Sequence, residues 1–478
     1  MLQKSAPGRI FPFLGVLVFS AMVMILNETT LTVALPAIMA EFQVEADVVQ
    51  WLIVGFLLAM AIVIPTTGFL LQRFSTRTLF HAAVLLFLSG CVVGALAPAF
   101  WVLVIARIIQ ACGTAIILPL LMTVTLSIVA PERRGAIMGI NSVVISVAPA
   151  LGPTLAGVIL DAGTWHWLFW AMVPLALVAL IWGFLFLGNV GETDPIALDI
   201  FSVILSALAF GAIVYGLSTL SHLLTQGDPT PAIIFVIGLV ILGIFVRRQV
   251  VLQKQNRALL DMHPLTVRTF VLAVIAIMTS LGLIIGTANV IPIYMQRALG
   301  VSALSTGLVM LPGGLAQGLL APVVGRLYDS FGPRPLAIPG SLLVLAAQIG
   351  LVFGTDIDTH PGVIIGLLLL FNFGLCLIIT PMMTIALASL PQKYYGHGSA
   401  ILTTLQQIGG AAGTALLVAA MAIGSTVPAS LAAPADMAHR ASLAFMMGSV
   451  LAAGIVVAVI FIKRLHQVRV AADEDPVS

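Results

Sequence analysis

Fourteen apolar stretches, each about as long as a bilayer is thick and parted by short polar turns, account for most of this sequence. A helix needs about 20 apolar residues to cross a bilayer, because lipid offers no partners for backbone N–H and C=O groups. The stretches fall at 11–38, 49–71, 79–97, 100–127, 136–160 and 167–187, then at 199–219 and 231–250, and finally at 269–294, 303–324, 335–354, 362–388, 398–424 and 441–463. The expected fold class is an all-α polytopic membrane protein with fourteen transmembrane helices. The first stretch exceeds a signal-peptide core and is followed by no small-residue cleavage site, so it reads as a retained span.

Charge excludes the main alternatives. Of the 478 residues only 8% are charged, against about 25% in soluble domains. A soluble enzyme and a nucleic-acid binder are both excluded, and a net charge of +2 implies no polyanionic partner. Cys91, Cys112 and Cys376 lie inside apolar stretches without disulfide or zinc spacing. No histidine cluster, catalytic constellation or Gly-x4-Gly-Lys-Ser/Thr loop is present. No metal, no cofactor and no enzymatic activity are expected.

Orientation follows from Lys and Arg, which accumulate on the cytoplasmic side. With the N-terminus inside, seventeen of the 20 basic residues, from Lys4 and Arg9 to Lys463, Arg464 and Arg469, fall in inside segments. Only Arg297 and Arg440 fall outside, and Arg107 lies within a span. Both termini are therefore expected in the cytoplasm. The WHW stretch at Trp165 to Trp167 reads as an interfacial aromatic belt.

A repeat divides the chain. GFLLQRFSTR, Gly68 to Arg77, follows the second span, and GRLYDSFGPR, Gly325 to Arg334, follows the tenth. Both fit Gly-x-Leu-x-x-x-Phe-x-x-Arg. Two six-span halves, 1–190 and 263–478, account for the spacing, with 191–262 as a two-helix insert and cytoplasmic connector. Parallel halves of this kind are a transporter design with a binding site near the midplane.

Two charged residues lie deep in spans. Glu28 is in the first, within ILNETTLTVALP, and Arg107 in the fourth, within IARIIQACG. Placing an ionisable group there costs at least about 2.5–3.5 kcal/mol, which marks both as functional candidates. Three roles are open to Glu28: proton carrier, counter-charge for a cationic substrate, or structural partner of Arg107. Asn27 and Gln110 sit beside them. The fifth span, GINSVVISVAPALGPTLAG, combines small residues with Pro149 and Pro153, a pattern for close helix approach and bending. Gly409, Gly410 and Gly413 give the thirteenth span a similar face.

Together these residues resemble the major facilitator superfamily, in its fourteen-helix drug/proton antiporter branch. The second turn is similar to the superfamily's cytoplasmic loop motif through Gly325, Asp329, Gly332 and Arg334. The first keeps Arg73 and Arg77 but has Gln72 in place of the acid. ARIIQACGTA resembles the fourth-helix motif through Arg107, Gln110 and Gly113. The fifth span resembles the antiporter motif through Gly139, Gly152, Pro153 and Gly157. The stretch ending Ala34-Leu35-Pro36 is similar to the branch signature, which usually has Asp where Asn27 stands; here the acid is Glu28, one residue on. The resemblance implies proton-coupled export of small amphipathic or cationic compounds across the cytoplasmic membrane by alternating access. A narrow exporter of an amino acid, siderophore or lipid is the alternative on the same scaffold.

Overall fold

The computed structural model describes residues 7–44, 46–49, 51–190, 199–219, 228–255, 257–422 and 433–462. Lys4, the 191–198 linker region and the tail from Lys463 lie outside the described residues. All regular elements among the described residues are helical. The long ones are α1 (Pro7–Phe42), α2 (Trp51–Arg73), α3 (Thr76–Ala95), α4 (Phe100–Ile128), α5 (Arg134–Ala162), α6 (His166–Phe186), α7 (Ile200–Ser218), α8 (Thr230–Gln253), α9 (Arg268–Arg297), α10 (Ala303–Phe331), α11 (Arg334–Gly354), α12 (Pro361–Ala388), α13 (Tyr395–Ala422) and α14 (Pro434–Ile460). Thirteen are long and apolar enough to cross a membrane; α5 is the other long helix, at 29 residues. Several outrun their apolar stretches, α1 by reaching Phe42 and α10 by reaching Phe331. Helical hydrogen bonding continues until a turn residue ends it. Gly332, at φ 79°, does this for α10, a conformation that costs a side chain but not glycine.

The helices form two groups with the same internal packing. In the first, α1 packs on α4, α5 and α6, α2 and α3 pack on α4, and α3 packs on α6. In the second, α9 packs on α12, α13 and α14, α10 and α11 pack on α12, and α11 packs on α14. A shift of eight helices turns one list into the other. The groups meet through α5 against α10, α2 against α13, α4 against α13 and α5 against α12. The remaining pair, α7 and α8, pack together, and α7 rests on both α2 and α13. α8 is outermost: Ile233, Val236, Ile237, Val240 and Ile244 are all exposed, an apolar face suited to lipid.

Lipid tails are as apolar as leucine, so helices in a membrane associate through close packing more than through apolar burial. Small residues set the contacts here. A Cβ on Gly139 would strike Ala321 O of α10, and one on Gly413 would strike Gly282 of α9. Many interior hydroxyls return to their own helix: Ser20 donates to Val16 O (2.8 Å), Thr125 to Leu121 O (2.7 Å) and Thr384 to Thr380 O (2.8 Å). This satisfies them without water.

The aromatic stretch before α6 departs from expectation. Trp167 is 59% exposed, as a belt residue would be, but Trp165 is 1% exposed. Its indole N–H donates to Glu41 Oε2 at the end of α1 (2.7 Å), so Trp165 is a buried tie between α1 and α6. A buried indole needs an acceptor, and the acceptor lies 124 residues away, beyond the reach of local pattern.

Candidate functional site

Four helices converge on Arg107. The guanidinium is buried and donates through Nη1 to Asn27 Oδ1 of α1 (2.9 Å) and to Gln110 Oε1 one turn along α4 (3.0 Å), and through Nε to Leu52 O of α2 (3.4 Å). Its Cζ lies 4.2 Å from the centre of the Phe56 ring, a cation–π contact. Gln110 passes the network to α3 by donating Nε2 to Cys91 Sγ (3.2 Å). Every direct partner is neutral. Asn27, Arg107 and Gln110, singled out from the sequence, are thus brought together, while Leu52, Phe56 and Cys91 join them without a sequence signal of their own.

Glu28 lies close enough to Arg107 to feel its charge but is not hydrogen-bonded into this cluster. Among the described residues, no hydrogen bond and no ion pair within 4.0 Å joins it to Arg107. The acceptor that α1 offers the guanidinium is therefore Asn27. Adjacent helical positions point about 100° apart, so Asn27 facing Arg107 turns Glu28 to another side, where it is half-buried. Gly152 of α5 fixes this part of α1: a Cβ there would overlap Thr29 Oγ1, next to Glu28. Further along α5 come Pro153 and then Gly157, where a Cβ would meet nothing.

The repeated turns sit at one end of the bundle, here termed the basic end. Their arginines do matching work. Arg77 Nη2 donates to Phe184 O in the last turn of α6 (3.1 Å), and Arg334 Nη2 to Ile460 O, the last residue of α14 (2.7 Å). Each satisfies a helix carbonyl that has no partner within its own helix. Ser75, in the first turn, caps α3 by accepting from Thr78 N–H (3.2 Å). Arg73 is exposed beside Phe74, its Cζ 5.9 Å from the ring centre.

Asp329 crosses between the groups. Its Oδ1 accepts from Gly135 N–H (2.7 Å) and its Oδ2 from Ala136 N–H (2.9 Å), at the start of α5. A carboxylate suits this place, since helix N-termini carry unsatisfied donors and a partial positive charge. The approach is tight: a Cβ on Gly325 would strike Gly135 O. Deeper in, Ser142 and Thr380 hydroxyls pair across α5 and α12 (3.1 Å), and Thr123 and Ser399 across α4 and α13 (2.8 Å). The two groups are therefore joined along the basic half of their interface.

Comparison with known proteins agrees with this architecture. A sequence model described as Major Facilitator Superfamily matches residues 17–414. The lincomycin resistance protein LmrB of Listeria monocytogenes is 36% identical over 427 residues, covering 88% of this chain and 90% of that protein. The uncharacterised MFS-type transporter YcnB of Bacillus subtilis is 38% identical over 443 residues, 92% of each. Among solved structures, the human organic anion transporter MFSD10 superposes with a TM-score of 0.65 at 15% identity, covering 94% of this chain and all of that one, a likeness of fold.

Proposed function

Since this chain belongs to the Major Facilitator Superfamily, and so is a multi-pass membrane transporter, we propose that it exports amphipathic or cationic drugs in exchange for protons. The observation that carries the reading is Glu28, a half-buried carboxylate in α1 without a hydrogen bond or ion pair among the described residues, beside the neutral clamp on Arg107. Apolar surroundings favour a neutral acid and a nearby cation favours the carboxylate. A group held between them can take up a proton on one side and release it on the other, or pair with a cationic substrate. The printed name of the Listeria relative, a lincomycin resistance protein, supports export of toxic compounds.

In this reading α5 is the fourteenth span, 1–190 and 263–478 are two six-helix halves, and 191–262 is the insert. Both termini and the basic end face the cytoplasm. The contacts of Asp329, Ser142 and Thr123 then close the cytoplasmic side, as one stage of an alternating-access cycle requires. Arg107 acts as a fixed charge that orients α1, α2 and α4 around Glu28.

The test is transport by purified protein in liposomes under an imposed pH gradient, with lincomycin, a lipophilic cation and a neutral drug as separate substrates. Gradient-dependent flux of at least one, abolished by a protonophore, is expected. Flux indifferent to the gradient overturns proton coupling. Flux confined to an amino acid, siderophore or lipid replaces the drug reading with the narrow exporter.

A further inference from the structure

The segment between α8 and α9, expected from its basic flanks to be a cytoplasmic connector, is packed inside the structure. Leu259 is 1% and Leu260 3% exposed. Their backbone N–H groups both donate to Gln249 Oε1 of α8 (2.8 and 3.2 Å), and Met262 N–H donates to Gln253 Oε1 (3.3 Å). Gln249 is itself fully buried and donates Nε2 to Ser202 Oγ of α7 (2.7 Å). Alongside, Arg248 and Asp199 form an ion pair (2.9 Å). The two insert helices thus form a polar cradle that grips the chain at 259–262.

The other side of this segment lies against the seam between the groups. Asp261 N–H donates to Nδ1 of His397, a buried residue of α13 (3.2 Å). His397 in turn packs on α2, where a Cβ at Gly68 would stand 2.7 Å from Nδ1 and 3.4 Å from Leu260 Cδ1. α2 and α13 belong to different groups and are in contact at the basic end. That end cannot open without parting them.

We propose that residues 259–262 are a latch: the insert, through Gln249, holds them in the α2–α13 seam, where they favour closure of the basic end. The insert then sets the balance between the two faces of the transporter and need not touch substrate. This rests on the alternating-access reading above. Releasing the latch removes buried hydrogen bonds from the closed state alone, so the open population should rise about fivefold per typical bond lost.

The experiment is distance measurement between spin labels at Phe74→Cys and Lys393→Cys, two exposed positions on either side of the seam, in full-length protein whose native cysteines are replaced. The wild type should show a short and a long distance. Gln249→Ala removes the two bonds to Leu259 and Leu260 and the one to Ser202, so it should raise the long fraction by at least about fivefold, the factor for a single buried hydrogen bond. His397→Phe leaves the insert intact and should act in the same direction, which keeps the test sound if Gln249→Ala misfolds. Unchanged fractions in the folded variants overturn the latch, as does an equal shift from Ile237→Ala on the lipid-facing side of α8. A wild type with one distance under every condition overturns the alternating-access reading and the latch with it.

Discussion

Arg107 Nη1 donates to Asn27 Oδ1 at 2.9 Å, and no hydrogen bond joins the guanidinium to Glu28, the next residue on the same helix. The neutral amide holds the cation in place, and the acid is left with its titratable oxygens uncommitted. Arginine keeps its proton under all physiological conditions, so the clamp stays the same whether Glu28 is charged or neutral.

Replacing Glu28 by Gln keeps the side-chain shape and removes the exchangeable proton. Gradient-driven export in liposomes should fall by at least about tenfold, because an amide does not titrate in this range. The Arg107 cluster contains no Glu28 contact, so thermal stability in detergent should be retained. Export at the wild-type rate with normal expression would mean that the proton travels by another group.

The contact of Gly152 with Thr29 predicts a paired effect. Gly152→Ala places a methyl on Thr29 Oγ1, and overpacking of this kind costs about 1–3 kcal/mol. Thr29→Ser keeps the oxygen and should not relieve it; Thr29→Ala removes the oxygen and should relieve it in part, since Thr29 Cβ would still stand 2.9 Å away. Melting temperatures of the two single variants and the double variant close the cycle, and additive losses would show that the contact is not the cause.

Much of this was legible in the sequence, for identifiable reasons. The spans could be read because a bilayer forces every backbone group to find its partner within a helix. The repeat of the two turns could be read because Arg77 and Arg334 hold equivalent places in them, and each donates to a carbonyl at the end of a later helix. Arg107 stood out as a charge in an apolar run. Which of Asn27 and Glu28 would face it depends on the rotation of α1, which Gly152 sets from 125 residues away. The burial of Leu259 and Leu260 depends on Gln249, whose single side-chain oxygen serves both N–H groups; no local pattern marks it. Trp165 was misread for a similar reason, its acceptor Glu41 lying in another helix.

Asp329 offers a kinetic readout. Asp329→Ala leaves the Gly135 and Ala136 amides without their acceptors. Bonds to a charged group are worth about 1.5–3 kcal/mol each. Amide hydrogen exchange at the start of α5 should accelerate by at least about tenfold, that energy converted to a rate ratio. Protection equal to the wild type would show that the amides find other partners.

The Asp199–Arg248 pair gives a pH dependence. Arg248, which hydrogen-bonds Asp199, holds its carboxyl below the ordinary carboxylate value, and Ser202 adds to this. A depressed folded-state value means that the stabilisation is present above the unfolded value, about 3.9, and is lost as pH falls through the folded one. The stability difference between wild type and Asp199→Asn should therefore be constant from about pH 6 to 8 and shrink only below about pH 4. A difference that already shrinks near pH 6 would contradict this assignment.

The arginine clasps bear on how the protein is made. Arg77 ties the start of α3 to the end of α6, and Arg334 ties the start of α11 to the end of α14; neither bond reaches into the other group. All the chain needed to fasten the first six helices has left the ribosome once α6 and the residues just after it have emerged, with the second six still unsynthesised. Domains in large proteins generally fold as units in order of synthesis. A chain cut after residue 190 should then insert with Phe184 and Arg77 already joined, and Arg77→Ala should make that fragment, more than the whole protein, a target for membrane proteolysis.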